Sequence, residues 1–329
     1  MLRIAAITTV YDEREFMPIW HGHYARLIGA ENLFIIDDGS TDGSTDGLEP
    51  SHVIKRPKAP IDQIVRAAMI GYMTEALLAY YDVVIYVDVD ELLVVDPLIR
   101  LPFADYLAKI PGKHFNAVGF NILHRAEHEP DYEPSVPVLE VRQWLEFEFG
   151  YCKQLVHKAP AKYGAGFHRT NKPLNFAPGL YLLHLRAFDT RVALRRIEHR
   201  RRLAWSDRSL RLGHGSQNRQ TPEQYMAEVN PYRPEDYEAA PRMALFNDFV
   251  VAKLKALEGL EKYQDFEQAG LTRGLVERPD RFRGVIHPVL ERVAATNATG
   301  RIVGRDQAED MFNVALAAAH ELALEVDLE

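Results

Sequence analysis

The sequence predicts an α/β fold built on a mainly parallel sheet with helices on both faces. Three observations carry that prediction. Short runs rich in β-branched residues alternate with longer stretches of helical periodicity through about the first hundred residues. The strand-like runs are apolar throughout rather than alternating, as expected for strands buried on both faces. Two of them end in acids, one followed by a glycine-rich turn, the usual break where a strand leaves a sheet.

In chain order, Arg3 to Val10 (RIAAITTV) reads as a buried strand and is followed by polar YDERE. Apolar positions at Phe16, Ile19, Trp20, Tyr24, Leu27 and Ile28 then mark a helix. Asn32 to Asp37 (NLFIID) is a second strand, ended by DGSTDGSTDG, and His52 to Lys55 is a short third. From Ile61 the series Ile64, Val65, Ala68, Met69, Tyr72, Met73, Ala76, Leu77 and Tyr80 predicts a long helix. Asp82 to Asp88 (DVVIYVD) is a continuous apolar strand ending in acid, and the βαβ crossovers should be right-handed. Asn116 to Leu123 (NAVGFNIL) reads as a further strand, and His124 to Pro137 as a long loop. Tyr151 to Val156 and Tyr181 to Leu185 are candidate strands around an ordered loop, Tyr163 to Pro178. Asp189 caps an arginine-rich helix expected to reach about Trp205. Thr221-Pro222-Glu223-Gln224 carries a cap, a first-turn proline and a capping-box glutamine. Asp306-Gln307-Ala308-Glu309 is another helix start, with Met311, Val314, Ala315, Ala318 and Leu322 along one side.

Composition narrows the function classes. The 329 residues are 47% hydrophobic and 26% charged, which suits a globular chain with a sizeable core. A net charge of −8 argues against a general nucleic-acid binder. A single cysteine, Cys152, excludes an internal disulfide framework and a cysteine-based zinc cluster, and fits a reducing compartment. The opening MLRIAAITTVYDER lacks the pattern of a signal peptide. No stretch approaches the ~18 uninterrupted apolar residues of a spanning helix. The expected location is therefore cytoplasmic, and the glycosylation acceptor Asn297-Ala298-Thr299 is read as chance.

Two acidic motifs carry the chemistry. Asp37-Asp38-Gly39-Ser40-Thr41-Asp42-Gly43 sits where a strand leaves the sheet at its carboxyl end, the place where open α/β sheets bind ligands. A carboxylate there can accept from a nucleobase N–H, although Asp, Gly and Ser also make plain turns. Asp88-Val89-Asp90-Glu91 ends another strand. If the strand persists, Asp88 and Asp90 point the same way and call for a cation. Carboxylate oxygens suit Mg²⁺ or Mn²⁺, which can hold a diphosphate leaving group. Each motif alone is weak. Together, in this order and about fifty residues apart, they are much stronger.

The order resembles family-2-like glycosyltransferases with the A-type glycosyltransferase fold. The matching pieces are the opening strand with YDERE, then FIIDDGSTDG, then VIYVDVDELL, and DVDEL is similar to the group-4 type related to family 92. The likeness covers about residues 1–100, is looser through 115–190 and is absent beyond about 215. It implies a Rossmann-like mixed sheet with a mostly helical C-terminal extension. The catalytic domain would span 1–215, and the extension packed on it 216–329. It also implies a nucleoside diphosphate sugar donor, with a UDP-sugar favoured, a saccharide or lipid-linked acceptor, Mn²⁺ or Mg²⁺, and inversion. The loop from Thr9 to Arg14, with Thr9, Tyr11 and Glu13, would wrap base and ribose. Asp37 would contact the base, with Asp38 as neighbour or substitute. Asp88 and Asp90 would hold the ribose and the metal diphosphate, braced by Glu91. Lys153 and His168 suit the diphosphate, and His184 would be a metal ligand.

The general base departs from the family pattern, because no Glu-Asp pair lies between Asp90 and His184. The acids available are Glu127, Glu129 and Asp131 in the long loop, and Glu146 and Glu148 in WLEFEF; Glu127 ranks first. Residues 186 to 211 carry nine arginines against Asp189, Glu198 and Asp207. A solvated helix face pairing with the chain's acids is the favoured reading, with peripheral contact to an anionic membrane as the other. A sugar-nucleotide pyrophosphorylase would want a glycine-rich loop with Arg and Lys where TTVYDERE stands. A haloacid-type phosphatase would want an aspartate near the first strand, and RIAAITTV has none. The rival from another class is a catalytically idle nucleotide-sugar-binding or scaffold protein.

Overall fold

The computed structural model describes residues 2–257 and 273–289. In order the chain forms β1 Ile4–Val10, α1 Met17–Ile28, β2 Leu33–Asp37, β3 His52–Lys55, α2 Gln63–Leu77, β4 Val83–Tyr86 and β5 Glu91–Val95. It continues through α3 Phe103–Lys109, β6 His114–Leu123, α4 Val138–Val141, β7 Trp144–Glu148, β8 Gln154–His157 and β9 Phe176–Ala187. The remainder is α5 Thr190–Arg200, α6 Asp207–Arg211, α7 Pro222–Val229, α8 Pro234–Ala239, α9 Phe246–Leu257 and β10 Arg273–Glu277.

All ten strands join one sheet, in the order β10-β7-β6-β8-β4-β1-β2-β3, with β9 pairing both β5 and β6. The sheet is mixed rather than mainly parallel. β1, β2, β3 and β4 run parallel, whereas β7, β8 and β10 pair antiparallel with their neighbours. The apolar runs behave as expected of strands buried on both faces. Ile4, Ala6 and Val10 of β1 join Trp20 and Tyr24 of α1 on one side. Ala5 and Ile7 join Ile70 and Met73 of α2 on the other.

Several boundaries differ from the sequence reading, each for a local reason. DVVIYVD leaves the ladder at Tyr86, and residues 88–90 turn into β5. The backbone N–H of Glu91 donates to the Asp88 carbonyl at 2.9 Å. Strand alternation therefore does not orient the Asp88 and Asp90 carboxylates. α2 begins at Gln63 because Asp62 caps it, accepting from the backbone of Ile64 and Val65. Asp189 caps α5 as expected, but the helix stops at Arg200. Beyond it the chain lies beside Ile61, exchanging backbone hydrogen bonds from Ile61 to Ala204 and from Ser206 to Ile61. Strand β5 is additional to the sequence reading. The capping box at Thr221 and Gln224 forms as expected. In the segment 216–329, expected to be mostly helical, the described residues form α7, α8 and α9 and also β10, which pairs with β7. The helix start at Asp306 and the acceptor Asn297 lie outside the described residues. Among the described residues, no helix is long and apolar enough to cross a membrane.

Candidate functional site

The parallel register of β1 with β2 and β4 brings their carboxyl ends together. Two loops leave this edge and interlock. The Thr41 backbone N–H donates to Asp12 Oδ1 at 2.7 Å, and that of Arg14 donates to Asp42 Oδ2 at 3.0 Å. Beside them opens a cavity of about 1010 Å³. Thr9, Tyr11, Glu13, Asp38, Asp88, Asp90, Lys153, His168 and His184 all line it. These positions span most of the first two hundred residues, and the fold gathers them at one sheet edge.

Charge on the cavity floor is closely matched. Lys153 is buried and its ammonium reaches Asp88 at 3.0 Å and Glu91 at 2.5 Å. Against the penalty of burial, those two carboxylates raise its pKa and keep it charged. The second oxygen of Asp88 accepts from Tyr86 Oη at 2.9 Å. Asp90 Oδ2 faces His184 Nε2 at 3.1 Å and also accepts from Arg196. Burial disfavours the Asp90 carboxylate, yet the Arg196 guanidinium beside it holds its pKa well below the usual range. Arg196 also donates to Glu13 at 2.8 Å, and Arg200 donates to the same carboxylate at 3.0 Å. Burial pushes the His184 imidazole down to about 4, against the pull of Asp90.

The wall around Tyr11 is built from the interlocked loops. Asp38 pairs with Arg56, and Lys58 lies over the Tyr11 ring at 4.0 Å. His199 of α5 stands 5.5 Å from the same ring. Thr9 Oγ1 accepts from Arg66 at 2.7 Å, and His168 Nδ1 donates to the Gly150 carbonyl at 2.7 Å.

Two of the expected site residues lie outside the cavity lining. Asp37 does not face the cavity. It is 1% exposed, and its carboxylate accepts from the backbone of Gly39 and Ser40 at 3.1 and 2.7 Å and from Thr45 Oγ1 at 2.8 Å. It holds its own turn, as aspartates often do, and Asp38 takes the outward place. Glu127 is exposed and outside the cavity lining. Its neighbours are occupied elsewhere: Glu129 accepts from the backbone of Arg125 and Gln143, and Asp131 pairs with Arg191. Glu146 and Glu148 lie outside the lining too, and both accept from Asn121.

Lys58, Arg66 and Glu228 are cavity residues without a sequence reading, and Arg186 and Arg196 enter that reading only as part of the arginine-rich segment. Arg196 had a readable signal. It occupies the buried stripe of α5 with Val192, Ala193 and Ile197, where an apolar residue is expected. Glu228 had none, since α7 meets the cavity only through tertiary packing. Arg186 reaches Glu228 at 2.7 Å.

A second acidic group, His124, Asp131 and Asp189, has ligand atoms within 4.8 Å of one another. Protein partners already satisfy it. His124 Nδ1 accepts from the Thr190 backbone at 3.0 Å, and Asp189 caps α5 and pairs with Arg142.

No protein-family model matches the chain, and no curated protein is matched by it. Among solved structures, it is similar to residues 1–349 of TarS from S. aureus at 10% identity. That alignment covers 97% of this chain and 92% of the other, with a TM-score of 0.32. It is also similar to a mannosyltransferase, PcManGT from Pyrobaculum calidifontis in complex with GDP-Man and Mn²⁺, at 12% identity. There the coverage is 98% and 87%, and the TM-score 0.31. Neither superposition is close enough to assign an activity.

Proposed function

We propose that this chain is a glycosyltransferase of the A-type fold. It would move a sugar from a nucleoside diphosphate sugar, a UDP-sugar favoured, to an acceptor hydroxyl with inversion. One observation carries the reading. The two acidic strand ends and the YDERE loop, distant in sequence, supply Asp38, Asp88, Asp90, Tyr11 and Glu13 to one cavity at the carboxyl edge of a parallel β unit.

In this reading the base and ribose sit against Tyr11, Asp38 and Lys58. Lys153, Arg66 and His168 receive the diphosphate. Asp90 and His184 face each other with an oxygen and a nitrogen donor, a set that suits Mn²⁺ or Mg²⁺. When bound there, such an ion neutralises charge on the leaving diphosphate. Both oxygens of Asp88 are already engaged, by Tyr86 and Lys153, so its part is to position Lys153 rather than to ligate. On the acceptor side we place the hydroxyl beside Glu228. Its side chain is 39% exposed, against 29% for Asp88 and 17% for Asp38, and Arg186 and Gln220 donate to its two oxygens and keep it ionised. The acceptor oxygen would bond to the anomeric carbon as its bond to the diphosphate oxygen breaks, the nucleoside diphosphate leaving and the hydroxyl proton passing to that carboxylate. Exposed Arg201, Arg202 and Arg211 accompany Leu210 and Leu212, which are 44% and 56% exposed. A basic surface with exposed leucines of this kind suits a lipid-linked acceptor at a peripheral membrane surface.

Calorimetric binding of UDP- and GDP-sugars, with and without Mn²⁺, tests the donor half. Failure of every donor under both conditions would end the proposal. Donor hydrolysis or transfer then separates the enzyme from an idle nucleotide-sugar binder.

A further inference from the structure

We propose that Asn121 is a positioning residue that fixes which nitrogen of His184 is bare, so that Nε2 is presented beside Asp90 for a divalent ion. The inference rests on the metal reading above and adds a residue that lies outside the cavity lining.

Register places the parts. Asn121 of β6 stands opposite Glu146 of β7 on one side and opposite His184 of β9 on the other. All three side chains are buried, Asn121 at 3%, Glu146 at 0% and His184 at 4% exposure. The Asn121 amide nitrogen donates to Glu146 Oε2 at 2.8 Å and to Glu148 Oε2 at 2.6 Å. Turning the amide over would aim its carbonyl oxygen at two carboxylate oxygens, so the pair of acidic partners assigns the nitrogen to that side. Glu146 is itself anchored, by Tyr232 Oη at 2.8 Å and Arg273 Nε at 2.6 Å.

The consequence reaches the cavity. Asn121 Oδ1 lies 2.8 Å from His184 Nδ1, and a carbonyl oxygen needs an N–H there. In the neutral ring the proton therefore sits on Nδ1 and the lone pair on Nε2. That lone pair faces Asp90 Oδ2 at 3.1 Å, two acceptors meeting head on. A divalent ion held by Nε2 and Asp90 would relieve that repulsion, while Arg196 donates to the same carboxylate oxygen and shares its charge. Outer hydrogen bonds that fix a ligating imidazole in this way are worth about 10- to 100-fold in metal affinity.

The test is made on the full chain at pH 7.5. Histidine ¹⁵N spectra of the wild type should show His184 protonated at Nδ1 and bare at Nε2. A proton on Nε2 overturns the assignment. Mn²⁺ binding, followed by electron paramagnetic resonance with UDP present, should weaken about 10- to 100-fold in Asn121→Leu. UDP affinity in chelator should stay unchanged in that variant. Equal Mn²⁺ affinity in the two proteins overturns the role of Asn121 and leaves the metal reading standing. A wild type that binds no Mn²⁺ removes the metal reading, and this role falls with it. If Asn121→Leu fails to fold, the wild-type spectra still decide.

Discussion

Asp37 and Asp38 are adjacent in sequence but differ in their surroundings. Asp37 commits its carboxylate to its own turn, so Asp37→Ala should loosen the loop and lower thermal stability first. Asp38→Ala should instead weaken every donor sharing the preferred base, by about 1.5–3 kcal/mol for a lost hydrogen bond to a charged group. Nucleotide titrations of the two variants decide between them, and an unchanged affinity in Asp38→Ala removes it from the base site. Arg196 is a sharper case. It lies between Glu13 and Asp90, both buried. Arg196→Leu should cost about 3–5 kcal/mol, because buried Asp90 loses its counter-charge and Glu13 keeps only Arg200. Arg195→Leu is the control, since Arg195 pairs with Glu15 at the surface and should change stability by less than about 1 kcal/mol. Chemical denaturation of both variants gives the comparison. For the base, Glu127→Gln should leave transfer near wild type. Glu228→Gln should keep donor affinity and cut transfer by about 10²–10⁴ fold.

At the scale of elements, the site depends on how closely β6 meets the turn before β8. A Cβ on Gly119 would lie 2.3 Å from the backbone carbonyl carbon of Tyr151. Tyr151 and Lys153 both line the cavity, so that backbone cannot retreat without moving the lysine that bridges Asp88 and Glu91. Gly119→Ala should therefore destabilise by about 1–3 kcal/mol and also weaken donor binding. Gly284→Ala has open space around its Cβ and should do neither. Melting temperatures with and without UDP test the pair. Wild-type donor affinity in the Gly119→Ala variant would show that the turn adapts without disturbing Lys153.

Across the whole molecule, buried histidines make stability depend on pH. His157 is held near 3 and His23 near 4, chiefly by burial. His157 bonds to the Gln154 carbonyl and to His114, and His23 to the Leu93 carbonyl. Between about pH 6.5 and the folded values, the unfolded chain binds these protons and the folded chain does not. Each histidine therefore contributes stability that is present above about pH 6.5 and lost as pH falls, by about 1.4 kcal/mol per unit well below 6.5. Raised carboxyl groups such as Glu148 act with the opposite sign, so the clean readout is a difference. His157→Gln should lose less stability than wild type between pH 7 and pH 5. Parallel slopes in denaturant titrations would refute the assignment.

What the sequence by itself determined is local. Period and breakers placed β1, α1, β2, β3 and the core of α2, because each buries its apolar residues along one repeat and ends at a cap or a turn. The acidic strand ends were visible for the same reason, as were the cap at Asp189 and the capping box at Thr221. Only the tertiary structure decided which acids face the cavity. Asp37 and Asp38 differ in the direction of a turn, and Asp88 and Asp90 sit in one rather than on a strand. Their partners come from far along the chain: Lys153 follows β7, Arg196 lies on α5 and Glu228 on α7. Hydrophobic periodicity reports which face of an element is buried, not what packs against it. The pairing of Asn121 with Glu146 and His184 depends on strand register, which is set by sheet assembly across residues 121–184 and leaves no trace in local pattern.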